Sequence, residues 1–494
     1  MGETDILVVG AGLAGLSAAL TAAEQGASVR ILERAPLEER GGNTRFSNGA
    51  MRAVYNGVED VAALVGELSP EERANTDFGS YSREQYYDDM GRVTQYRSDS
   101  DMTDILVEQS ADTMLWLRAQ GVRFLPLYEW QYRTPEGKVI FSGGSAVEAQ
   151  GGGDGVSGAL FRAAEKRGIE ILYETRMTGL LRDADGRIAG VTAVQNGREV
   201  SFRARAVVLA TGGFEASPEM RTRYLGPGWE LAKVRGSRFN TGEGLRIALD
   251  AGAMPHGHWS GCHSASWDLN APDVNTLDLG TVFKRDDFLH GIMVNRDGER
   301  FVDEGSDIRA LTYARMGRTV LAQPGQVAWQ IYDAQSARLL HGEYRIRQSA
   351  RFRADTLEEL AGKLEGIDTA KFLATVTAFN AAVRDDIPLD LGTKDGRGTR
   401  GLAIPKSNWA TAIVEPPFEA YAVTCGITFT FGGLRIDPQG QVVDIDGHIM
   451  PGLYAAGEMV GGLFYFNYPG GSGLMSAAVF GRLAGQSAAA AARS

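Results

Sequence analysis

The hydrophobic pattern changes period twice within the first 33 residues. "DILVVG" is a short apolar run ending on glycine, "LAGLSAALTAAEQG" is apolar at helical spacing, and "ASVRILE" returns to a short apolar run. This predicts strand, helix, strand: a βαβ unit of about 30 residues. Over residues 169–213, short alternating runs ("IEILYETRMTGLLRD", "IAGVTAV", "NGREV", "RARAVVLATGGF") are divided by turn signals such as "ADGR". That pattern predicts a β-meander returning into a buried strand. Residues 226–420 are less regular, with polar, Pro-containing loops and helical runs at 355–364 and 368–385. A second βαβ-like signal comes only at "GLYAAGE" followed by "SGLMSAAVFGRLAGQSAAAA", whose alanine-rich tail is a helix end. A sheet domain interrupted by an insert explains this order. The fold class is therefore α/β with an α+β insert: residues 1–225 and 421–494 form one domain, and 226–420 are inserted into it.

Composition narrows the function. A length of 494 residues suits one very large domain or two to three ordinary ones. The 63 glycines have no fixed period, which excludes collagen; clustered between apolar runs, they suggest tight turns against a ligand or another backbone. The net charge of −12 disfavours nucleic acid and anionic lipid as partners. No apolar run approaches the roughly 18 residues needed to span a bilayer. The first strand begins at Asp5, which leaves no room for a signal peptide. Cys262 and Cys425 lack a CxxC or CxxCH partner, so neither a Cys-ligated iron–sulfur cluster nor a c-type haem attachment is expected. No metal site is expected either, and the reducing cytoplasm is the expected location.

"GAGLAG" places Gly10, Gly12 and Gly15 between the first strand and the first helix, with Glu33 ending the next strand. Gly10 serves the turn, Gly12 lets the backbone approach a pyrophosphate, and Gly15 lets helix meet strand. The helix N-terminus faces the phosphates and Glu33 bonds ribose hydroxyls. With its strand, helix and acid in place, the fingerprint is a strong signal for a dinucleotide, and Glu33 argues against a 2′-phosphate. No second fingerprint follows a strand, so a dedicated NAD(P) domain is not expected.

"VVLATGGF" (207–214) and "GLYAAGE" (452–458) are similar to segments of two-dinucleotide-type flavoproteins. That likeness implies FAD, with Glu458 closing a glycine turn beside the sugar–phosphate link. "GGNTRFSNGAMRA" (41–53), "GIMVNRDGERFVDE" (291–304), "TFGGLRID" (430–437) and "FGRLAG" (480–485) extend it to the fumarate reductase/succinate dehydrogenase flavoprotein family, over nearly the whole chain. The resemblance implies a Rossmann-like FAD-binding domain interrupted by a capping domain. It also implies hydride exchange between flavin and one carbon while a side chain handles a proton on the next. In covalent members a His in the segment resembling 42–45 attaches to the flavin; here "GNTR" implies non-covalent FAD. Asn43 and Thr44 would bond flavin or phosphate. Ala14, Arg34, Gly42, Ser47, Asn48, Gly49, Met177, Ala210, Thr211, Gly212 and Gly457 complete the expected cofactor set. "PGGSGL" would be the turn into the last helix, with Gly471, Ser472, Gly473 and Leu474 offering N–H groups to the flavin's N1/C2=O edge.

The departures from the family pattern bear on substrate. His263 in "SGCHSASW" matches a His that grips a substrate carboxylate. Thr428 stands where a second His is usual, and Tyr468 where an Arg is usual. The expected proton carrier is Arg309 or Tyr313: matching forward from Glu304 gives Arg309, and matching backward from "VLAQPG" gives Tyr313. An arginine in that role needs acid partners, for which Glu304 and Asp307 are near in sequence. Tyr313 would need a cationic neighbour, for which Arg309 is the candidate. In overall look the chain is similar to the tricarballylate dehydrogenase branch, with some likeness to 3-ketosteroid dehydrogenases around "YPG". A tricarboxylate would call on His263, Arg309 and Arg45 or Arg285. The expected activity is desaturation of a C–C bond beside a carboxylate or carbonyl, with fumarate-reductase-like alkene reduction and ketosteroid-type dehydrogenation as alternatives. Electrons would pass to a separate acceptor: a redox protein, a quinone or O2.

Overall fold

A computed structural model describes residues 3–134, 137–141 and 143–493. The first βαβ unit forms where the period predicts it: β1 (Thr4–Val9), α1 (Leu13–Glu24) and β2 (Val29–Leu32). The meander follows as β3 (Glu170–Leu172), β4 (Thr175–Arg182), β5 (Ile188–Gln195) and β6 (Arg198–Leu209). β1 lies parallel between β2 and β6, and β2 also pairs parallel with β3. The first half of β6 runs antiparallel to β5, and β5 to β4. The second half of β6 pairs in parallel with Ile449–Ala455, a strand about 240 residues later, as an interrupted sheet requires. The strands that meet at this centre are hydrophobic without alternation because both faces are covered.

Helix α1 packs against the last helix, Ser472–Arg493. A Cβ on Gly481 would lie 2.4 Å from the Ala14 carbonyl oxygen, and one on Gly485 2.2 Å from that of Ala18. The Ala/Gly composition of both helices thus sets a backbone-to-backbone approach. The residues that touch are buried alanines and glycines, which lose no side-chain entropy on packing.

A second sheet holds the strands Lys233–Val234, Pro255–Asp268, Ile292–Asn295, Ala328–Tyr332, Arg351–Ala354 and Phe418–Leu434. Its spine is the 17-residue Phe418–Leu434, flanked antiparallel by the 14-residue Pro255–Asp268. Pro255–Asp268 was not expected from the "less regular" reading of 226–420, and Phe418–Leu434 crosses the expected boundary at 420/421. Phe418–Leu434 is buried along most of its length on both faces, so the alternation that marks a half-exposed strand is missing. The helical run expected at 368–385 forms as Thr369–Ala382; that at 355–364 shrinks to Leu357–Ala361. The helices Arg83–Thr94 and Ser100–Ala119 were not anticipated.

Candidate active site

The dinucleotide end is built by close backbone approach. Gly10 has φ of 103°, and a Cβ there would lie 2.3 Å from the Ala210 carbonyl oxygen; one on Gly15 would lie 2.0 Å from that of Gly10. Both glycines are demanded by the protein itself. Gly12 differs: its Cβ would meet only Gly41 O and Thr44 Oγ1, each at an ordinary 3.8 Å. Nothing in the protein requires glycine there. The buried carboxylate of Glu33 accepts the Ala11 N–H at 2.9 Å and the Ala35 N–H at 2.8 Å. Burial raises its pKa, and these N–H donors oppose the rise. Glu33 therefore also holds the glycine turn in shape. Thr44 Oγ1 accepts the Leu13 N–H at 3.0 Å, capping α1.

These residues line one large cleft, with about 1580 Å³ of empty volume, its mouth included. Gly10, Gly12, Ala14, Glu33, Arg34, Gly42, Asn43, Thr44, Ser47, Asn48, Met177, Ala210, Thr211, Gly212, Gly457, Glu458, Gly471, Gly473 and Leu474 all border it. Gly15, Gly49 and Ser472 do not. A Cβ on Gly49 would crowd the Gly152 backbone at 2.8 Å, and the Ser472 hydroxyl accepts from Tyr86 at 3.0 Å. Gly471 is needed because its φ is 86° and a Cβ would lie 2.7 Å from the Arg52 nitrogen. The protein's own backbone therefore demands glycine there. Asn43 also departs from expectation. Its amide donates to Glu215 and to the Thr428 carbonyl and accepts the Ser237 N–H at 2.7 Å, so its side chain is committed within the protein rather than free for flavin or phosphate.

At the other end of the cleft the aromatic loop 464–470 is stitched to the segment before Tyr313. Asn467 Nδ2 donates to the Leu311 carbonyl at 2.6 Å and the Gly470 N–H to that of Ala310 at 2.8 Å. Tyr313 opens the helix Tyr313–Leu321. Its hydroxyl lies 2.8 Å from that of Tyr468, which lies 3.3 Å from His263 Nδ1. Burial raises the pKa of both phenols; the Tyr468 hydroxyl lowers that of Tyr313, and so does the charge of Arg235. Burial, reinforced by Arg235, pushes His263 well below its ordinary value, so the imidazole is neutral. Tyr313, Tyr468, His263 and Thr428 all border the cleft.

Arg309 does not. Its guanidinium lies over the Trp130 ring, 5.0 Å from the centroid, with Nη1 3.5 Å from Asp287 and from His341 Nδ1. The acids expected to serve it are engaged elsewhere: Glu304 with Arg300, Asp307 with Arg92. Arg45 pairs with Asp154 at 2.6 Å and Arg285 with Asp268 at 2.8 Å, which removes both as substrate grips. The cation near the tyrosines is Arg235, which sequence reasoning missed; the available signal was an arginine inside the glycine-rich run 235–244.

Residues 5–474 match the model of the FAD binding domain family. A probable fumarate reductase of Shewanella frigidimarina is 30% identical over 98% of this chain and 75% of its own length.

The chain belongs to the fumarate reductase family of FAD-binding flavoproteins.

Further relatives are similar over nearly the whole chain. The 3-oxosteroid 1-dehydrogenase of Mycolicibacterium smegmatis is 27% identical over 98% of this chain and 96% of its own. The open conformation of a flavocytochrome c3 fumarate reductase superposes with a TM-score of 0.73 at 27% identity, covering all of this chain and 79% of that one. This flavoprotein is an FAD-dependent oxidoreductase acting on C–C bonds. The cleft suits FAD. Gly12 and Gly473, where a Cβ would find only ordinary protein contact, border it, as do the unpartnered His263 Nε2 and Thr428 Oγ1. Among the described residues no helix is long and apolar enough to cross a membrane.

Proposed function

We propose that this flavoprotein desaturates a C–C bond next to a carboxylate or carbonyl, with Tyr313 exchanging the proton at one carbon. Bound FAD supplies hydride acceptance at the other carbon. The observation that carries this reading is the 2.8 Å contact between the Tyr313 and Tyr468 hydroxyls, on the same cleft as the dinucleotide residues. Tyr468 and His263 extend that contact into a chain along which the proton can leave. Loop 464–470 holds the two hydroxyls in register. The non-covalent hold on FAD falls to the Gly10–Gly15 turn, Glu33, Glu458 and the turn at Gly471–Leu474. Residues 226–420 act as a cap, with Phe418–Leu434 continuing from it into the FAD-binding part. The enzyme works in the cytoplasm and passes its electrons to a separate acceptor, a redox protein, a quinone or O2.

A second reading, reduction of an activated alkene, is favoured by the raised pKa of both phenols, which keeps Tyr313 protonated and ready to donate. The deciding experiment is anaerobic. FAD-loaded enzyme is mixed with saturated di- and tricarboxylates, tricarballylate among them, and with cyclic ketones and steroids. Photoreduced enzyme is mixed with the unsaturated counterparts. Bleaching in the first set is the expected outcome; reoxidation only in the second selects reduction; silence in both sinks the redox reading.

A further inference from the structure

Arg235 is the one arginine of the cleft that makes no ion pair, among the described residues. It follows the short strand Lys233–Val234, which runs parallel to Phe418–Leu434, and its backbone N–H donates to the Ile427 carbonyl at 2.8 Å. On the other side of that spine, His263 lies opposite Phe429. Arg235, Thr428 and His263 therefore stand on three neighbouring strands at one level. Arg235 is only 5% exposed, yet among the described residues its Nε and Nη1 have no hydrogen-bond partner and it makes no ion pair. Its guanidinium lies over the Trp267 ring, 5.3 Å from the centroid. His263 Nε2 and Thr428 Oγ1 beside it are also buried and unpartnered.

The other deeply buried arginines are all held by protein acceptors: Arg52 by Asp89, Tyr81 and the Gly470 carbonyl, Arg285 by Asp268, Arg300 by Glu304, and Arg221, which has no acid partner, by the carbonyls of Glu215, Glu230 and Ala232. An unpaired guanidinium out of water is costly, so a stable fold retains one where a ligand completes it. Burial raises the pKa of Asp286 nearby, and the charges of Lys284, Arg235 and Arg309 oppose the rise, but Asp286 forms no ion pair with Arg235.

We infer that Arg235, with Thr428 and His263, is the anchor for a carboxylate of the substrate, and so selects acids over neutral ketones in this cleft. A guanidinium matches the two oxygens of a carboxylate in a way a phenol does not. The inference rests on the cleft being the substrate site, which it deepens.

The test is equilibrium binding to FAD-loaded enzyme, read as perturbation of the flavin absorbance, with succinate, malonate and tricarballylate as acids and cyclohexanone as the neutral probe. Arg235→Met is expected to lose affinity for the acids by at least roughly tenfold, the scale of one charge-assisted hydrogen bond, with cyclohexanone within about threefold of wild type. Arg235→Lys, which keeps the charge and guards against a folding artefact, is expected to fall in between. Equal loss for acids and ketone, unchanged acid affinity, loss of FAD from Arg235→Met, or no acid perturbation of wild type would each overturn the inference. Binding without any flavin reduction or reoxidation would sink the redox reading alone and leave the anchor standing.

Discussion

Tyr313 and Arg309 are four residues apart and had equal claim to the proton. What separates them is direction. Tyr313 faces Tyr468 and the cleft, while Arg309 is folded onto Trp130 with Asp287 as its acid. Tyr313→Phe removes the hydroxyl but keeps the ring packed. The expected result is a fall in the rate of flavin reduction by the best substrate of on the order of 10²-fold or more, with FAD content unchanged, in stopped-flow absorbance. Arg309→Gln is expected to change that rate by less than about tenfold. The reverse ranking would return the proton to Arg309.

The glycine turn separates two demands at the scale of one element. Gly15 and Gly10 are glycines because their own backbones collide with anything larger; Gly12, with φ of −74°, is compatible with alanine in the protein alone. Gly15→Ala is therefore expected to destabilise even the FAD-free protein, by about 1–3 kcal/mol or more, seen as a lower denaturation midpoint. Gly12→Ala is expected to leave the FAD-free midpoint near wild type and to weaken FAD binding. Loop 464–470 makes a related point. Asn467 Nδ2 and the Gly470 N–H donate to Leu311 and Ala310, holding Tyr468 against Tyr313.

Across the whole molecule, a buried polar cluster ties the sheets together. Glu215 and Glu458 are both buried and sit side by side; Asn43 and Asn240 donate to the first, the Thr430 N–H and hydroxyl to the second. Burial, then the charge of Glu458, raises Glu215 well above an ordinary carboxyl, and burial pushes Glu458 up to about 6. A raised carboxyl binds its proton more tightly folded than unfolded. Its stabilising contribution is complete below the unfolded value near 4.5 and drains away as pH rises through the folded one. Glu215→Gln keeps an acceptor for the asparagines and removes that titration. The expected outcome is a melting-temperature difference, variant minus wild type, that grows from pH 4.5 to 8 in FAD-free protein. A constant difference would mean that Glu215 is not held neutral in the fold.

Much of the frame was legible along the chain. The βαβ unit, the meander and the fingerprint glycines follow from local period and backbone sterics, which a short window of sequence contains. Phe418–Leu434 was not legible, because a strand covered on both faces has no alternation. Nor was the wiring of the site. Tyr313 and Tyr468 are 155 residues apart, and whether Arg235 or Arg309 stands near them depends on which segments pack side by side. Residue type and spacing determined that a dinucleotide could be held and that phenols and a histidine were available. Only the tertiary structure decided which polar groups spend their hydrogen bonds on the protein and which are left for a ligand, because that balance is struck between segments distant in sequence.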